Sequence, residues 1–370
     1  MSTLKAEVVK IKEIVPHDNA DLLEIVKVFG WFVVVRKGMY KVGDMAIYMP
    51  IDSVLPDILE AKLFPPDSKI KLHNSRIRSI KIRGVVSQGM LCPLEFIPTA
   101  LRSEGEDVTQ ILGITKFEPP EPGEVGIGSP CRSRKNLKKQ NSAFIKYTDI
   151  ENFKKYNTEF AEGELVQVTE KLHGTSSRYG WFKKQNMSLF QRTWCKFKEK
   201  FFGMDDRWEW EFLVGSRNLQ ISDDPEDNVY AKIALQLDLK DKIPLGYSIY
   251  GEIVGSKIQK NYTYGCKEGE HEFYAYDVRI NERGYLDYPL FASFCDTLGI
   301  KRVPLLYKGP FNAEHIKEMT KGDSTIGGQK VREGVVIKPF WEDISPRIGR
   351  KVLKLVSDDY LLSKGNSDFH

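Results

Sequence analysis

Cysteine is scarce in this sequence, with five in 370 residues at Cys92, Cys131, Cys195, Cys266 and Cys295. They are scattered, odd in number and include no C-x-x-C pair, which excludes the usual start of a zinc site and reads as free thiols in a reducing compartment. Long apolar runs are also missing: none approaches the roughly 20 residues of a membrane-spanning helix. The opening "MSTLKAEVVKIKEIV" alternates rather than forming the apolar core of a signal peptide. The expectation is an intracellular, soluble protein with no membrane partner. An excess of one charge is lacking too, because 55 Lys+Arg against 51 Asp+Glu leave only +4. A nucleic-acid surface would therefore have to be a local patch. There is no internal repeat and no signal for oligomerisation, so a monomer is the default.

What is present is apolar material for more than one core: 41% of the residues are hydrophobic, in a chain long enough for two domains. The first part carries short β-branched runs, "AEVVKIKEIV", "LLEIVKVFGWFVVVRKG" and "GDMAIYMPIDSVLP", punctuated by Gly30, Gly38, Gly43 and Pro50. Such spacing predicts a small barrel. "IRSIKIRGVVSQGMLCPLEFI" adds basic alternation and another strand pair near Gly84 and Gly89. Residues 116–140, "KFEPPEPGEVGIGSPCRSRKNLKKQ" from position 116, read as a linker. Beyond them strands resume, with helical patterns in "NVYAKIALQLDL" and "LFASFCDTLGI". The basic, aromatic stretch "WFKKQNMSLFQRTWCKFKEKFFG" fits an inserted helix or a loop.

Five stretches of the second part carry candidate chemistry, and each has a plainer explanation. "EKLHGTSSR" sets Lys171 before His173 and Gly174, a reactive amine or a surface lysine at a turn. "FLVGSRNLQI" places Arg217 after an apolar run, suited to a phosphate or ribose, or to an ordinary ion pair. "YSIYGEIVG" buries one carboxylate, Glu252, that must accept hydrogen bonds or face a ligand. "EFYAYDVRI" puts Tyr274 and Tyr276 on one face, as core or as a stacking rim. "REGVVIKPF" sets Glu333 at a strand entry, Val336 within it and Lys338 at its end, and "RKVLKLVSDDY" brings Lys351 and Lys354.

Taken in order, these stretches resemble the covalent nucleotidyltransferase superfamily of ATP-dependent ligases and RNA capping enzymes. A lysine nucleophile must be neutral to attack an α-phosphate, and the leaving pyrophosphate needs cations around it. The resemblance implies that Lys171 becomes Lys-AMP and that ATP with Mg2+ or Mn2+ is required. It further implies that Arg217 and Glu252 contact the nucleotide sugar, that Tyr276 stacks on the base, and that Val336 packs on its opposite face. Glu170, Leu172 and Lys338 join the nucleotide site, Lys354 meets the α-phosphate, and Glu333 with Glu252 serves the metal; Lys171, Lys354 and Glu333 form the catalytic set.

"KLHGTSS", with His173 where most of the superfamily has aspartate, together with "EGVVIKP", is similar to RNA ligases. "HDNADLLEIVKVFGWFVVVRKGMYKVGDMAIYMPIDSVLP" is similar to the N-terminal OB domain of the Deinococcus/Naegleria-type RNA ligases. The implied fold is α+β: an N-terminal OB-type β-barrel that binds RNA (1–115), a linker (116–140), and a ligase-type nucleotidyltransferase domain built on antiparallel β-sheets with flanking helices (141–370). The implied function is sealing of RNA with 3′-OH and 5′-phosphate ends, with Arg36, Lys37, Lys41 and Arg83 as candidate phosphate contacts, alongside Arg76, Arg78 and Lys81. A DNA ligase, a capping-type guanylyltransferase and a non-catalytic RNA-binding protein with a degenerate ligase domain are the alternatives. Two departures stand out: "VLKLVS" keeps one lysine where K-x-K is common, leaving Lys338 or Arg350 as substitutes, and Asn152 stands where related RNA ligases often have arginine.

Overall fold

The computed structural model describes residues 4–65, 71–117, 140–185, 193, 194, 197, 209–226, 228–259 and 261–362. Most of the expected linker, and most of the basic, aromatic stretch that follows Trp181, lie outside the described residues. The described residues fall into two compact units. The first takes those up to 117 together with Ile150–Asn157 and those from Asp358 on, and the second takes 140–149 and Thr158–Ser357.

In the first unit, β1 (Glu7–Lys10), β2 (Glu13–Pro16), β3 (Leu23–Val28), β4 (Trp31–Arg36) and β5 (Met45–Met49) come from the alternating runs. β6 (Ser53–Val54), β7 (Ile80–Ile82), β8 (Val85–Ser87), β9 (Met90–Cys92), β10 (Thr115–Lys116) and β11 (Glu151–Asn152) follow. The three-stranded orders are β1-β5-β9 and β2-β3-β4. β4 shows the cause: Trp31, Val33 and Val35 are buried while Phe32 and Arg36 are exposed, the period of two that buries one face of a sheet. Val26, Val28, Trp31, Val33, Tyr48 and Leu91 close one core. Burying each large apolar side chain contributes about 1.5–3 kcal/mol. The expected strand pair near Gly84 is the β7–β8 hairpin, turning through Arg83 at φ 45°.

The second unit holds two antiparallel sheets. One contains β12 (Leu165–Lys171), β19 (Leu305–Pro310), β20 (Gly334–Pro339) and β23 (Leu353–Val356), in the order β23-β20-β12-β19. The other runs β15-β14-β13-β16-β17-β18, formed by β13 (Thr175–Lys183), β14 (Trp210–Ser216), β15 (Gln220–Ile221), β16 (Tyr247–Gly255), β17 (His271–Ile280) and β18 (Gly284–Tyr285). A short hairpin, β21 (Ile344–Ser345) with β22 (Gly349–Arg350), precedes β23.

Both expected helices form. Val229–Gln236 is capped by Asn228, whose side chain accepts from Ala231 N at 2.8 Å. Tyr288–Leu298 has proline in its first turn and stops at Gly299, φ 65°. Their apolar faces, through Tyr230, Ile233, Phe291 and Cys295, join the core made by Tyr179, Val214, Ile249, Phe273 and Val278. The element content is α+β, as expected.

Candidate active site

β12 delivers Lys171 at its last position, and the register of the sheet decides what it meets. Lys171 lies opposite Gly334, Thr169 opposite Val336, and Val336 opposite Lys354. Residues directly opposite share a face, so Lys171, Val336, Lys338 and Lys354 line one side of this sheet. β20 comes close enough to β23 for this only because residue 334 is glycine: a Cβ there would lie 2.2 Å from Leu355 O.

Glu333, just before β20, is 2% exposed and accepts a hydrogen bond from Lys171 Nζ. Its Oε2 is buried with no hydrogen-bond partner. Burial pushes the Glu333 carboxyl up, against the pull of Lys171 and then of Lys354. From the other sheet, β16 brings Glu252 opposite Ser176. Its Oε1 accepts from Gly174 N at 3.1 Å. Burial pushes Glu252 up to about 8, opposed by Lys171 and reinforced by the like charge of Glu333. Gly174 is held to its identity by this contact, since a Cβ would meet Ile253 O at 2.2 Å and Glu252 Cγ at 2.8 Å.

His173 turns into the protein, its ring edge-on to Tyr262 at 5.0 Å between centroids. Burial, with Lys171 nearby, lowers its pKa to about 3, so the ring is neutral at ordinary pH. Arg217 follows β14 and donates to Asp149 Oδ1 at 2.7 Å. Tyr276 is on β17, with its hydroxyl 2.7 Å from Ser176 Oγ. Leu172 is buried.

Four of the named side chains are engaged elsewhere. The Glu170 carboxylate faces away from Lys171 and accepts from Thr325 N (3.0 Å) and Thr325 Oγ1 (2.7 Å), with Arg332 Nε at 3.7 Å. Lys338 Nζ is buried against Tyr276 O and Asp277 Oδ2, each 2.7 Å away. Arg350 pairs with Glu342 through Nε and Nη2 and with Asp277 through Nη1 at 2.7 Å, and its guanidinium lies 3.6 Å over the Tyr285 ring. Lys351 points off the site face, to Glu164 (2.7 Å) and Asp343 (3.4 Å). Sequence reasoning passed over Asp277 and Tyr147, whose hydroxyl donates to Asp277 Oδ2 at 2.7 Å. Only the acid after the aromatic pair in "YAYDV" hinted at the first.

In the first unit, Arg36, Lys37, Lys41 and Arg83 are exposed on the end of β4, the loop after it and the β7–β8 turn. Arg76 is instead 2% exposed, bonded to Asp52 at 2.6 Å and stacked on Phe117 at 3.8 Å, which removes it from any surface patch. Asn152 caps the helix Phe153–Tyr156 by accepting from Lys154 N at 2.8 Å.

Chemically, the site offers a primary amine, a cation on the adjoining strand and two carboxylates raised by burial, one with an unpartnered oxygen. That donor set suits a hard divalent cation, which takes carboxylate oxygen and leaves its remaining positions to water and phosphate. Among the described residues no group of three or more His, Cys, Asp or Glu surrounds a metal position.

The sequence model of the RNA ligase family matches residues 164–356, and that of an OB-fold domain matches residues 5–94. Among solved structures, the chain is similar to the Naegleria gruberi RNA ligase with pyrophosphate, at 26% identity and a TM-score of 0.73 over 97% of this chain and 98% of that one. A lysine-to-alanine variant of the same ligase with ATP and manganese matches at 27% identity, TM-score 0.74, over the same shares. A glutamate-to-alanine variant with AMP and manganese matches at 27%, TM-score 0.73, again over 97% and 98%.

Proposed function

Because the chain belongs to the RNA ligase family, with more than half of its length matched, we propose that it is an ATP-dependent enzyme joining RNA 3′-OH and 5′-phosphate ends through a lysyl-AMP intermediate. The observation that carries this reading is the Lys171 amine held against Glu333, on the same sheet face as Lys354, with Glu252 reaching in from the second sheet.

In the first step the Lys171 amine, having lost a proton, attacks the α-phosphorus of ATP. A P–N bond forms as the bond to pyrophosphate breaks. Next an oxygen of the RNA 5′-phosphate attacks the same phosphorus and frees Lys171, leaving AMP on the RNA end. Finally the 3′-OH attacks the 5′-phosphorus and AMP departs. None of these steps asks the protein for more than position and charge. Lys354, opposite Val336, faces the α-phosphate; Val336 and Tyr276 enclose the base; Arg217 and Glu252 take the ribose. Glu333 and Glu252 would hold Mg2+ or Mn2+, and the unpartnered Glu333 Oε2 is the oxygen waiting for it. Such an ion neutralises phosphate charge and favours the deprotonated amine. Exposed Arg36, Lys37, Lys41 and Arg83 would meet the RNA backbone.

The test is incubation with α-labelled ATP or GTP. Transfer of label from ATP to the protein, lost in Lys171→Ala and released by acidic hydroxylamine, supports the reading, whereas labelling that survives Lys171→Ala overturns it. Nicks with ribose or deoxyribose at the 3′-OH end then distinguish RNA sealing from DNA sealing.

A further inference from the structure

β17 does not run regularly past the site. Glu252 faces Tyr274 and Gly251 faces Ala275, but Tyr250 faces Asp277, so Tyr276 is an extra residue with no counterpart on β16. A bulge of this kind bends the strand and breaks the alternation of side chains. Tyr147 registers the result: its ring is edge-on to Tyr276 at 4.7 Å and its hydroxyl bonds Asp277 at 2.7 Å. Two consecutive side chains therefore face one side, where a regular strand would send them to opposite sides.

A bulge is held only if its displaced polar groups are satisfied. Here the donor comes from β20, in the other sheet: Lys338 Nζ reaches the Tyr276 carbonyl and the Asp277 carboxylate, each at 2.7 Å. Asp277 in turn receives Arg350, so two cations and one phenol converge on one buried carboxylate. Arg350 is fixed from behind by Glu342. Lys338 has an exposure of 5%, and its ammonium is turned toward the bulge.

We propose that Lys338 and Asp277 are positioning residues for nucleobase recognition: they pin the bulge that aims the Tyr276 ring, and Lys338 is not a phosphate contact. This rests on the reading that Tyr276 stacks on the base. The two roles of Lys338 separate cleanly. A phosphate contact serves every triphosphate and pyrophosphate alike. A bulge pin serves only ligands that carry a base.

The experiment uses the full chain, with Lys338→Met, Asp277→Asn and Tyr276→Ala compared in formation of the protein–nucleotide adduct and in its reversal by pyrophosphate. Lys338→Met should raise KM for ATP five- to twenty-fold and narrow the preference for ATP over GTP. The saturated single-turnover rate and the pyrophosphate concentration for half-maximal reversal should stay within about two-fold. Asp277→Asn should repeat the pattern, and Lys338→Met should add nothing in a Tyr276→Ala background. Should Lys338→Met fail to fold, Lys338→Gln, whose amide can still donate to the carbonyl, must show a weaker form of the same pattern. Weakening of pyrophosphate as strongly as ATP, in any of the Lys338 variants, overturns the proposal. If instead Tyr276→Ala leaves KM for ATP unchanged, the stacking reading itself fails, and the proposal falls with it by a different result.

Discussion

Glu333 gives one carboxylate oxygen to Lys171 and keeps the other buried without a partner. An unsatisfied buried carboxylate oxygen is costly, about 1–3 kcal/mol or more, so a protein retains one where a ligand will take it. The pairing therefore joins the proposed nucleophile and the expected cation through a single side chain.

Glu333→Gln keeps the shape and removes the charge. Added Mn2+ should raise the melting temperature of the unmodified protein but not that of the variant, and adduct formation should fall by at least about 100-fold, the scale of losing a charge-stabilising group. A manganese-induced shift that survives the substitution would remove Glu333 from the metal site.

Lys354 and Lys351 are three residues apart and should fail in different ways. Lys354→Ala takes a cation from the face that carries Lys171 and should slow adduct formation far more than Lys351→Ala does. Lys351→Ala instead takes from Glu164 its paired cation on the opposite face, leaving the Ala161 N–H. It should cost about 1–3 kcal/mol of stability, the usual loss when one partner of a buried charge-assisted bond is removed. Denaturation midpoints beside single-turnover rates read both.

Strand alternation explains why so much of this site could be read before the fold was seen. A period of two puts Lys171, Val336 and Lys354 on known faces once the strands are recognised, and it correctly sends Lys351 the other way. What it hides is non-local. The bulge at Tyr276 breaks the period, and Asp277, the carboxylate that Lys338 and Arg350 share, lies 61 and 73 residues before them in sequence. Lys338 and Arg350 looked like spare phosphate cations for that reason. Arg76 misleads in the same way: in "SRIRSIKIR" it belongs to a basic run, yet a backbone turn folds it onto Asp52 and Phe117.

His173 makes stability depend on pH in a definite sense. Burial, then the charge of Lys171, lowers its folded pKa to about 3, while the unfolded ring titrates near 6.5. Below about 6.5 the unfolded chain takes up a proton that the folded one refuses. Stability from this group is thus complete above that pH and is lost as pH falls toward 3. His173→Asn should flatten the dependence of the urea midpoint on pH by close to one proton between pH 4 and 6. A variant with the same slope as the parent would show that another group carries it.

Glu170 adjoins Lys171 in sequence but serves the opposite face of its sheet. Its carboxylate takes both the backbone N–H and the hydroxyl of Thr325, and Arg332 stands 3.7 Å away, so it ties down the segment that leads into Glu333. Glu170→Ala would remove a buried carboxylate and both of its bonds to Thr325, a loss of about 1–3 kcal/mol. The expected result is a lower melting temperature and weaker Mn2+ binding, because Glu333 loses its support, with KM for ATP changed less than in Tyr276→Ala. If Glu170 touched the nucleotide through its side chain, the order would reverse: KM would rise and the melting temperature would hold. Thr325→Val separates the two further, since it removes the hydroxyl bond to Glu170 and leaves every residue on the Lys171 face in place.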